Sequence, residues 1–278
     1  MKVTVWGCRG SLPSPGPEKD RFGGNTSCVQ VEHNGTCIVL DGGSGIQRLG
    51  THIQSDYTDL HILLTHLHID HTMGLGFFLP LYNPNINVHI WGPATTVEPL
   101  TERLRRYFSP PLFPVRLSEL PKHPVIHEIS NSQFNIGDVT INSSYVCHPG
   151  PTLGFRLMAG NSVFTYMPDH EVSLGSSNFP HEPEWTSGYE IAKNADLLFH
   201  DSQYRTEEYA SRIGWGHSSL EDTFKFAEMC NVKQLELFHH DPLHTDVQLD
   251  ALLNDSLKGR SFNFNVNLCA EGKVFNLD

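Results

Sequence analysis

Short runs of β-branched and apolar residues alternate with clusters of turn residues along most of the chain, and this pattern predicts many short strands. A first batch of runs covers residues 2–6, 28–32, 37–40, 60–64 and 88–91. A second batch covers residues 125–129, 139–146, 153–157, 163–166, 197–200 and 235–238. Because the strand pattern occurs twice, the chain is expected to form two sheets.

Three other windows combine helix-forming residues with the apolar spacing of an amphipathic helix, at residues 95–107, 218–230 and 246–257. The sequence Ser-Ser-Leu-Glu at residues 218–221 opens the second window like a helix N-cap followed by an acidic residue. Two batches of strands, with helices between and after them, predict an α/β protein of the αββα sandwich type. One domain, 1–278, is expected, because 38% hydrophobic content can fill one large core.

One segment, residues 107–114, interrupts these patterns with three prolines and three aromatic rings. Prolines at this density exclude a helix or a central strand, so the segment is predicted to be a rigid loop. Packing of its rings onto the core is the favoured role. A wall or lid over a functional site, contributed by this chain or by a partner subunit, is the alternative.

The charge balance limits the partners of the chain. The 19 lysines and arginines are outnumbered by 31 aspartates and glutamates, which gives a formal net charge of −12. A chain this acidic repels a polyanion unless its cations are concentrated at one place, so a long nucleic acid is a disfavoured partner. A small anion stays compatible with the chain if bound divalent ions create a local positive field.

No pattern in the sequence indicates export or a membrane. Residues 1–5 lead directly into strand-like alternation instead of a signal peptide, and no run approaches the length of about eighteen apolar residues that a membrane span requires. The six cysteines are scattered without a Cys-x-x-Cys pair, which fits neither a disulfide framework nor a thiolate zinc site. A cytoplasmic protein with reduced thiols is therefore expected.

Four side chains that can bind metal ions fall within six residues just after the predicted strand 60–64: His66, His68, Asp70 and His71. Residues two apart at the end of a strand point the same way, so His66 and His68 can share one ion, while the following turn redirects Asp70 and His71. One cluster can therefore contribute to two divalent ions. Imidazole and carboxylate ligands without thiolate suit Zn²⁺ first, and also tolerate Mn²⁺, iron or nickel.

The run from His66 to His71 resembles the His-x-His-x-Asp-His signature of the metallo-β-lactamase superfamily, whose αββα fold has two mixed sheets flanked by helices. In that superfamily the remaining ligands are a His, a bridging Asp and a final His, each at the end of a later strand. The resemblance implies His148, Asp169 and His239 for these positions. It also implies two ion sites, one held by His66, His68 and His148 and the other by Asp70, His71 and His239, with Asp169 bridging them.

Two residues near this constellation each have two interpretations. His239 and His240 compete for the last ligand position, since neighbouring strand residues cannot both point inward, and we assign His239. Asp41 ends the predicted strand 37–40 before a glycine turn, at a position where the family carries an acidic residue near the metals. It is predicted to orient a metal ligand, with helix capping as the alternative.

Two later segments resemble the branch of this superfamily that contains ribonuclease Z and the PhnP-like phosphodiesterases. Residues 214–219 place His217 in a His-Ser-Ser sequence before a helix, and residues 195–202 read as a strand that ends at Asp201. The resemblance implies that His217 is the general acid for a departing alkoxide and that Asp201 orients it, with helix capping by His217 as the alternative. Asp70 is expected to act in catalysis through its metal ion.

The same resemblance bears on the size of the substrate. Ribonuclease Z enzymes carry a long arm that grips tRNA, typically between the later His and the bridging Asp. Here only twenty residues separate His148 from Asp169, and they read as a strand pair that leaves no room for an arm. With the acidic net charge, this favours a dinuclear phosphodiesterase that acts on a small anionic diester, most readily a cyclic nucleotide.

Other functions stay open from the sequence. An RNA 3′-end processing endonuclease would need a cationic surface, for which Arg103, Arg105, Arg106 and Arg116 are candidates. A thioesterase or lactamase would use the same metals in a different pocket and would have no need of His217. A redox module that holds iron lacks support, because no flavin domain is attached. Family habit also predicts a homodimer, with residues 107–114 as the expected contact.

Overall fold

The computed structural model describes residues 1–53, 57–172 and 178–278, and it contains two seven-stranded sheets. The strands of the first sheet are β1 (Lys2–Gly7), β2 (Cys28–His33), β3 (Thr36–Leu40), β4 (Asp59–Leu63), β5 (Asn87–Pro93), β6 (Val125–Ile129) and β14 (Val274–Asn276), in the order β14-β1-β2-β3-β4-β5-β6. The strands of the second sheet are β7 (Ser132–Ile136), β8 (Val139–Tyr145), β9 (Leu153–Ala159), β10 (Ser162–Met167), β11 (Leu197–Asp201), β12 (Gln234–Phe238) and β13 (Asn265–Leu268), in the order β13-β12-β11-β10-β9-β8-β7. The α-helices are α1 (Ile46–His52), α2 (Ile69–Thr72), α3 (Leu100–Tyr107), α4 (Tyr189–Ala192), α5 (Thr206–Tyr209), α6 (Leu220–Met229) and α7 (Asp246–Leu257).

Both sheets are mixed, and their strand directions decide where the site lies. Strands β3 to β6 are parallel neighbours in the first sheet, and strands β10 to β13 are parallel neighbours in the second. Strand β9 is antiparallel to both β8 and β10, so β8 runs in the same direction as β10. The carboxyl ends of β8, β10, β11 and β12 therefore meet at one edge of the second sheet, where open α/β sheets typically bind ligands.

The sheets pack face to face around a shared core. Val5, Ile38 and Leu40 of the first sheet contact a cluster that includes Phe155 and Tyr166 of the second. Further apolar clusters join the outer face of the first sheet to α1 and α3, and the outer face of the second to α6 and α7. The strands are thus buried on both faces, which explains their nearly continuous apolar runs. The αββα sandwich predicted from the sequence is confirmed.

All eleven predicted strands are present, with their ends displaced by at most two residues. Strands β7, β13 and β14 and helices α1, α2, α4 and α5 are additional to the prediction. The helix predicted over 246–257 is present with those bounds, and α6 begins after an N-cap at Ser219, whose hydroxyl accepts from the backbone N–H of Asp222. The start predicted for the helix 95–107 is wrong, because Pro99 disfavours helical backbone in the residue before it and α3 begins only at Leu100.

The aromatic segment at residues 107–114 packs onto the core, as favoured from the sequence. The rings of Phe108 and Phe113 are buried and contact each other edge to face, with centroids 5.6 Å apart. Tyr107 stacks on Phe113 and donates a hydrogen bond from its hydroxyl to the carbonyl oxygen of Met73, close to the end of α2. The segment thereby braces the turn that carries Asp70 and His71.

No helix within the described ranges has the length and apolar character needed to cross a membrane.

Candidate metal centre and its acid pair

Seven side chains that the sequence predicts as metal ligands come together where strands end. They are His66 and His68 after β4, Asp70 and His71 in α2, His148 after β8, Asp169 after β10, and His239 after β12. Six of these residues are buried, and only His68 of the seven is exposed. The centre is therefore enclosed by protein on most sides and reached past His68.

Asp169 lies in the middle of the group, and its two carboxylate oxygens face different histidines. Oδ1 is 3.0 Å from Nε2 of His71 and 3.3 Å from Nε2 of His239. Oδ2 is 3.6 Å from Nε2 of His148 and 3.7 Å from Nε2 of His66. This division is the geometry expected of a carboxylate that serves two neighbouring sites.

The remaining ligand atoms complete two sets. In one, His66, His68, His148 and Asp169 offer atoms that all lie within 4.8 Å of one another, and Nδ1 of His68 is 3.1 Å from Nε2 of His148. In the other, Asp70, His71 and His239 do the same, with Oδ2 of Asp70 lying 3.2 Å from Nε2 of His239 and 3.3 Å from Nε2 of His71. Each set could hold one ion.

Unpaired buried atoms show that these residues fit metal ions. Nε2 of His66, Nε2 of His71 and Oδ1 of Asp169 are buried and lack a partner with hydrogen-bond geometry among the described residues, although the last two lie 3.0 Å apart as an ion pair. Nε2 of His66 has no such ion pair at short distance, and a buried atom of this kind costs roughly 1–3 kcal/mol if nothing binds it. Nitrogen and carboxylate oxygen donors without sulfur are also a ligand set that Zn²⁺, Mn²⁺ and iron accept. The donor set and the unpaired atoms together suit two divalent ions.

Asp41 orients two of the histidines from behind. Its buried carboxylate accepts a hydrogen bond from Nδ1 of His71 at 2.8 Å and from the hydroxyl of Thr65 at 3.0 Å. The same hydroxyl lies 3.0 Å from Nδ1 of His66. Both rings therefore turn Nε2 towards Asp169. Asp41 does not cap α1, whose N-cap is Gly45, so the structure favours the orienting role.

The structure places His239, and not His240, in the cluster. His239 has φ of 60°, in the left-handed region, and this turns its ring inward, where Gly10 leaves room because a Cβ there would lie 2.3 Å from the ring. Nδ1 of His239 donates to Oε1 of Gln203 at 3.1 Å, which leaves Nε2 for the centre. The ring of His240 points elsewhere and donates from Nε2 to the carbonyl oxygen of Cys269.

The two histidine sets differ in their readiness to bind a cation. In the metal-free chain, burial lowers the pKa of His66, His68 and His148, so these rings are neutral at pH 7. Burial opposes protonation of His71 and His239 too, but the charges of Asp169 and Asp70 raise the pKa of His71 well above its usual value and that of His239 to about 9. The first set can accept an ion without losing a proton, whereas His71 and His239 must release theirs.

His217 and Asp201 form a hydrogen-bonded pair beside this centre. Nδ1 of His217 lies 2.6 Å from Oδ2 of Asp201 and 4.0 Å from Oδ2 of Asp169. Asp201 is fully buried, and its carboxylate accepts from the backbone N–H groups of His170 and Gln203. The N-cap of α6 is Ser219, so capping does not account for His217. Asp169, His217 and His239 could also hold an ion, but Asp201 already occupies Nδ1 of His217.

Sequence reasoning missed several contributors to the site, three of which are side-chain or backbone contacts from distant segments. Gln203 holds His239, the backbone N–H of Ser11 donates to Oδ2 of Asp70 at 2.7 Å, and Glu171 binds the loop before His217. A second acidic residue only two positions after Asp169 was a visible signal for Glu171. Gln203 and Ser11 offered no signal, because they act through contacts between distant segments.

A cavity of about 370 Å³ opens beside His66 and His68. One wall is residues 149–151 and the other is formed by the chain from Thr95 to α3. Its lining includes Leu67, Val97, Glu98, Arg103, Arg106 and Pro149. The centre therefore adjoins a largely apolar space with a few charged groups at its rim.

An αββα sandwich that gathers histidine and aspartate side chains at its strand ends defines a metal-dependent hydrolase of the metallo-β-lactamase fold. The model of the beta-lactamase superfamily domain matches residues 38–240, so the chain belongs to that superfamily. Ribonuclease Z of Thermococcus onnurineus (strain NA1) is 25% identical over 280 residues, which cover 86% of this chain and 84% of that protein.

Solved structures show the same fold. YhfI from Bacillus subtilis, a metallo-beta-lactamase fold protein, matches with a TM-score of 0.73 at 19% identity, over 99% of this chain and 98% of that one. A diphosphatase of the PhnP family matches with a TM-score of 0.69 at 18% identity, over 100% and 98%. The resemblance to the ribonuclease Z and PhnP-like branch, predicted from the sequence, is confirmed.

Replacement of Asp41 tests the support of the centre. Asp41→Asn replaces one of two acceptor oxygens by an NH₂ group, which must then face either Nδ1 of His71 or the backbone N–H of Thr65, so we expect metal affinity to fall about 10- to 100-fold. Competition with a chromogenic chelator measures it. Asp196→Asn is the matched control, since Asp196 also accepts a backbone N–H, that of Val163, but at the amino end of β11. Equal affinity in the two variants would contradict the role given to Asp41.

Proposed function

We propose that this chain is a dinuclear metal phosphodiesterase that hydrolyses a small phosphodiester, with a cyclic nucleotide as the favoured substrate. The observation that carries the proposal is the His217–Asp201 pair, 2.6 Å apart, beside the cluster around Asp169. An alkoxide that leaves phosphorus needs a proton, and a histidine held by a carboxylate is suited to deliver it. Thiolates leave without such help, so a thioesterase would have less use for this pair.

In this proposal two ions share the centre. His66, His68 and His148 would hold one, Asp70, His71 and His239 the other, and Asp169 would bridge them through its two oxygens. Zn²⁺ is the proposed metal, with Mn²⁺ and iron compatible with the same donors. When bound, such a pair supplies an activated water and neutralises charge on the attacking and departing oxygens.

His217 and Asp201 would provide the proton for the departing oxygen. Because Nδ1 of His217 is engaged by Asp201, the ring keeps a fixed orientation, and its other nitrogen, Nε2, is the atom that would give a proton to the departing oxygen. Asp201 stabilises the charged ring and is held in turn by backbone N–H groups. General acids placed in this way contribute about 10²- to 10⁴-fold to rate.

The size of the cavity beside the metal centre is consistent with the proposal of a small substrate. The cavity beside His68 has a volume of about 370 Å³, close to the lower end of the range typical of small-molecule sites. The stretch between His148 and Asp169 is filled by the β9–β10 hairpin, in agreement with the strand pair predicted there. No arm for gripping a folded RNA extends from this position.

An RNA 3′-end processing endonuclease is the second candidate, favoured by the ribonuclease Z relatives. The arginines that could form a cationic surface weigh against it, because each is paired with a carboxylate: Arg103 with Glu128, Arg105 with Glu102, Arg106 with Glu98 and Arg116 with Glu119. A surface neutralised in this way offers little attraction to a polyanion at a net charge of −12.

We also propose that the protein works as a cytoplasmic homodimer. Leu112 and Phe77, beside the buried rings of residues 107–114, expose 73% and 59% of their surface, and such apolar side chains suit an isologous contact. A monomeric mass of 31.2 kDa in sedimentation equilibrium would rule this assembly out.

The substrate class is tested by one panel of assays on the metal-loaded protein. The substrates are 3′,5′-cyclic nucleotides, 2′,3′-cyclic nucleotides, a precursor tRNA, a thioester and a lactam. We expect turnover of a cyclic nucleotide. Cleavage of the precursor tRNA alone would favour the second candidate, and hydrolysis of only the thioester or lactam would refute phosphodiester cleavage altogether.

The role of His217 is tested by its dependence on the leaving group. With His217→Ala we expect turnover of a cyclic nucleotide, which loses an alkoxide, to fall about 10²- to 10⁴-fold. Turnover of bis(4-nitrophenyl) phosphate should fall far less, because nitrophenolate leaves without a proton. Metal content should persist, and His123→Ala, at an exposed histidine, is the control. Equal losses on both substrates would remove the acid role.

A further inference from the structure

We propose that Glu171 is a positioning residue for the acid, because it holds the loop that ends in His217. Its side chain belongs to a residue with 1% exposure. Oε1 accepts hydrogen bonds from the hydroxyl of Tyr209 at 2.9 Å and from the backbone N–H of Gly214 at 2.8 Å. Oε2 accepts from the backbone N–H of Gly216 at 2.8 Å. Two of these three donors lie three residues and one residue before His217.

The loop at residues 214–217 lies in no helix or strand, so single contacts fix its backbone. Gly214 and Gly216 have φ of 87° and 88°, in the region that favours glycine. A Cβ on Gly216 would lie 2.1 Å from Cδ of Pro149 and 2.5 Å from Nδ1 of His148. The loop is therefore packed directly against the segment that carries His148. A small displacement of the loop would move that segment as well.

The position of Gly216 affects two residues of the site, His148 and His217. Its carbonyl oxygen accepts a hydrogen bond from Nδ1 of His148 at 2.7 Å, which turns Nε2 of that ring to the centre. The next residue, His217, is bound to Asp201. The backbone N–H of Glu171 also donates to the carbonyl oxygen of Cys147, the residue before His148. Glu171 thus ties both partners of this contact, one through its side chain and one through its backbone.

Stability alone does not account for a carboxylate at this position. All three of its donors are neutral, and burying an anion among neutral donors costs more than burying an uncharged side chain. A carboxylate differs from an amide in having two oxygens that only accept. A glutamine would turn an NH₂ group towards at least one N–H or O–H donor. The carboxylate of Glu171 serves to fix the backbone of the loop at residues 214–217, which an amide could not do in the same way.

The inference rests on the proposed function and is tested on the metal-loaded full chain with two diesters. For Glu171→Gln we expect kcat for a 3′,5′-cyclic nucleotide to fall about 10- to 100-fold, the range found when a group that orients a functional side chain is lost. KM should change little, and turnover of bis(4-nitrophenyl) phosphate should fall much less. The double variant Glu171→Gln/His217→Ala should be no slower on the cyclic nucleotide than His217→Ala alone, because both changes act through one group.

Glu236→Gln is the matched control. Glu236 is also a fully buried carboxylate, but it lies within β12 and binds Lys273 and Asn267. Its replacement should lower the free energy of unfolding without altering the ratio of the two turnover rates. Equal losses on both diesters in Glu171→Gln, or multiplying losses in the double variant, would overturn the proposal.

Two further outcomes are also decisive. If Glu171→Gln does not fold, Tyr209→Phe, which removes one donor and leaves the carboxylate, should show the same preference for the good leaving group in smaller measure. An unchanged ratio of the two rates in Tyr209→Phe would then overturn the proposal. A wild-type protein that cleaves neither diester refutes the proposed function, and the role of Glu171 falls with it. Wild-type activity on both, unaffected by Glu171→Gln, refutes only the role of Glu171.

Discussion

The buried histidine nitrogens and carboxylate oxygens crowded around Asp169 are the constraint on which the rest of the structure depends. Nε2 of His66, Nε2 of His71 and Oδ1 of Asp169 are removed from water and lack a partner with hydrogen-bond geometry among the described residues, even though the last two lie 3.0 Å apart. Protein interiors rarely leave such atoms unsatisfied, since each costs free energy that folding must recover elsewhere. Their convergence is intelligible if cations bind between them and supply the missing interaction.

The surrounding side chains hold this unfavourable arrangement in place. Asp41 and Gln203 bind the outer nitrogens of His71 and His239, and the carbonyl oxygen of Gly216 binds that of His148. Every one of these rings is thereby turned with Nε2 inward before any ion arrives. Preorganisation of this kind is what a metal site requires, because a ligand that must first reorient binds more weakly.

Backbone strain accompanies the same function. Asp41 and His239 both adopt φ near 60°, at the ends of β3 and β12. A non-glycine residue in this region costs free energy, and such residues often mark functional sites. At both positions the turn aims a side chain across the strand end, which ordinary strand geometry would not allow.

The sequence was sufficient for the fold and for most of the centre, for physical reasons. Strands buried on both faces leave apolar runs that stand out, and four ionisable side chains crowded between His66 and His71 beside a buried strand need cations to compensate them. Strands such as β14, with three residues, are too short for a period to show. The choice between His239 and His240 depends on the left-handed φ of His239, which the alternation of apolar and polar residues along a strand does not reveal.

Long-range contacts were the least accessible part of the site. Glu171 binds the N–H groups of Gly214 and Gly216, more than 40 residues later, and backbone groups have no signature in a sequence. The arginines of α3 show the reverse case, since a sequence displays their charge but not the carboxylates that neutralise them. Both kinds of information come only from the folded chain.

The central claim is that the cluster holds two ions that share Asp169. Anomalous diffraction from crystals grown with Zn²⁺, measured above and below the zinc edge, tests it most directly. The account predicts two peaks about 3.5–4 Å apart, each within about 2.2 Å of its own histidines and of one oxygen of Asp169. A single peak, or two peaks of which only one contacts Asp169, would contradict it.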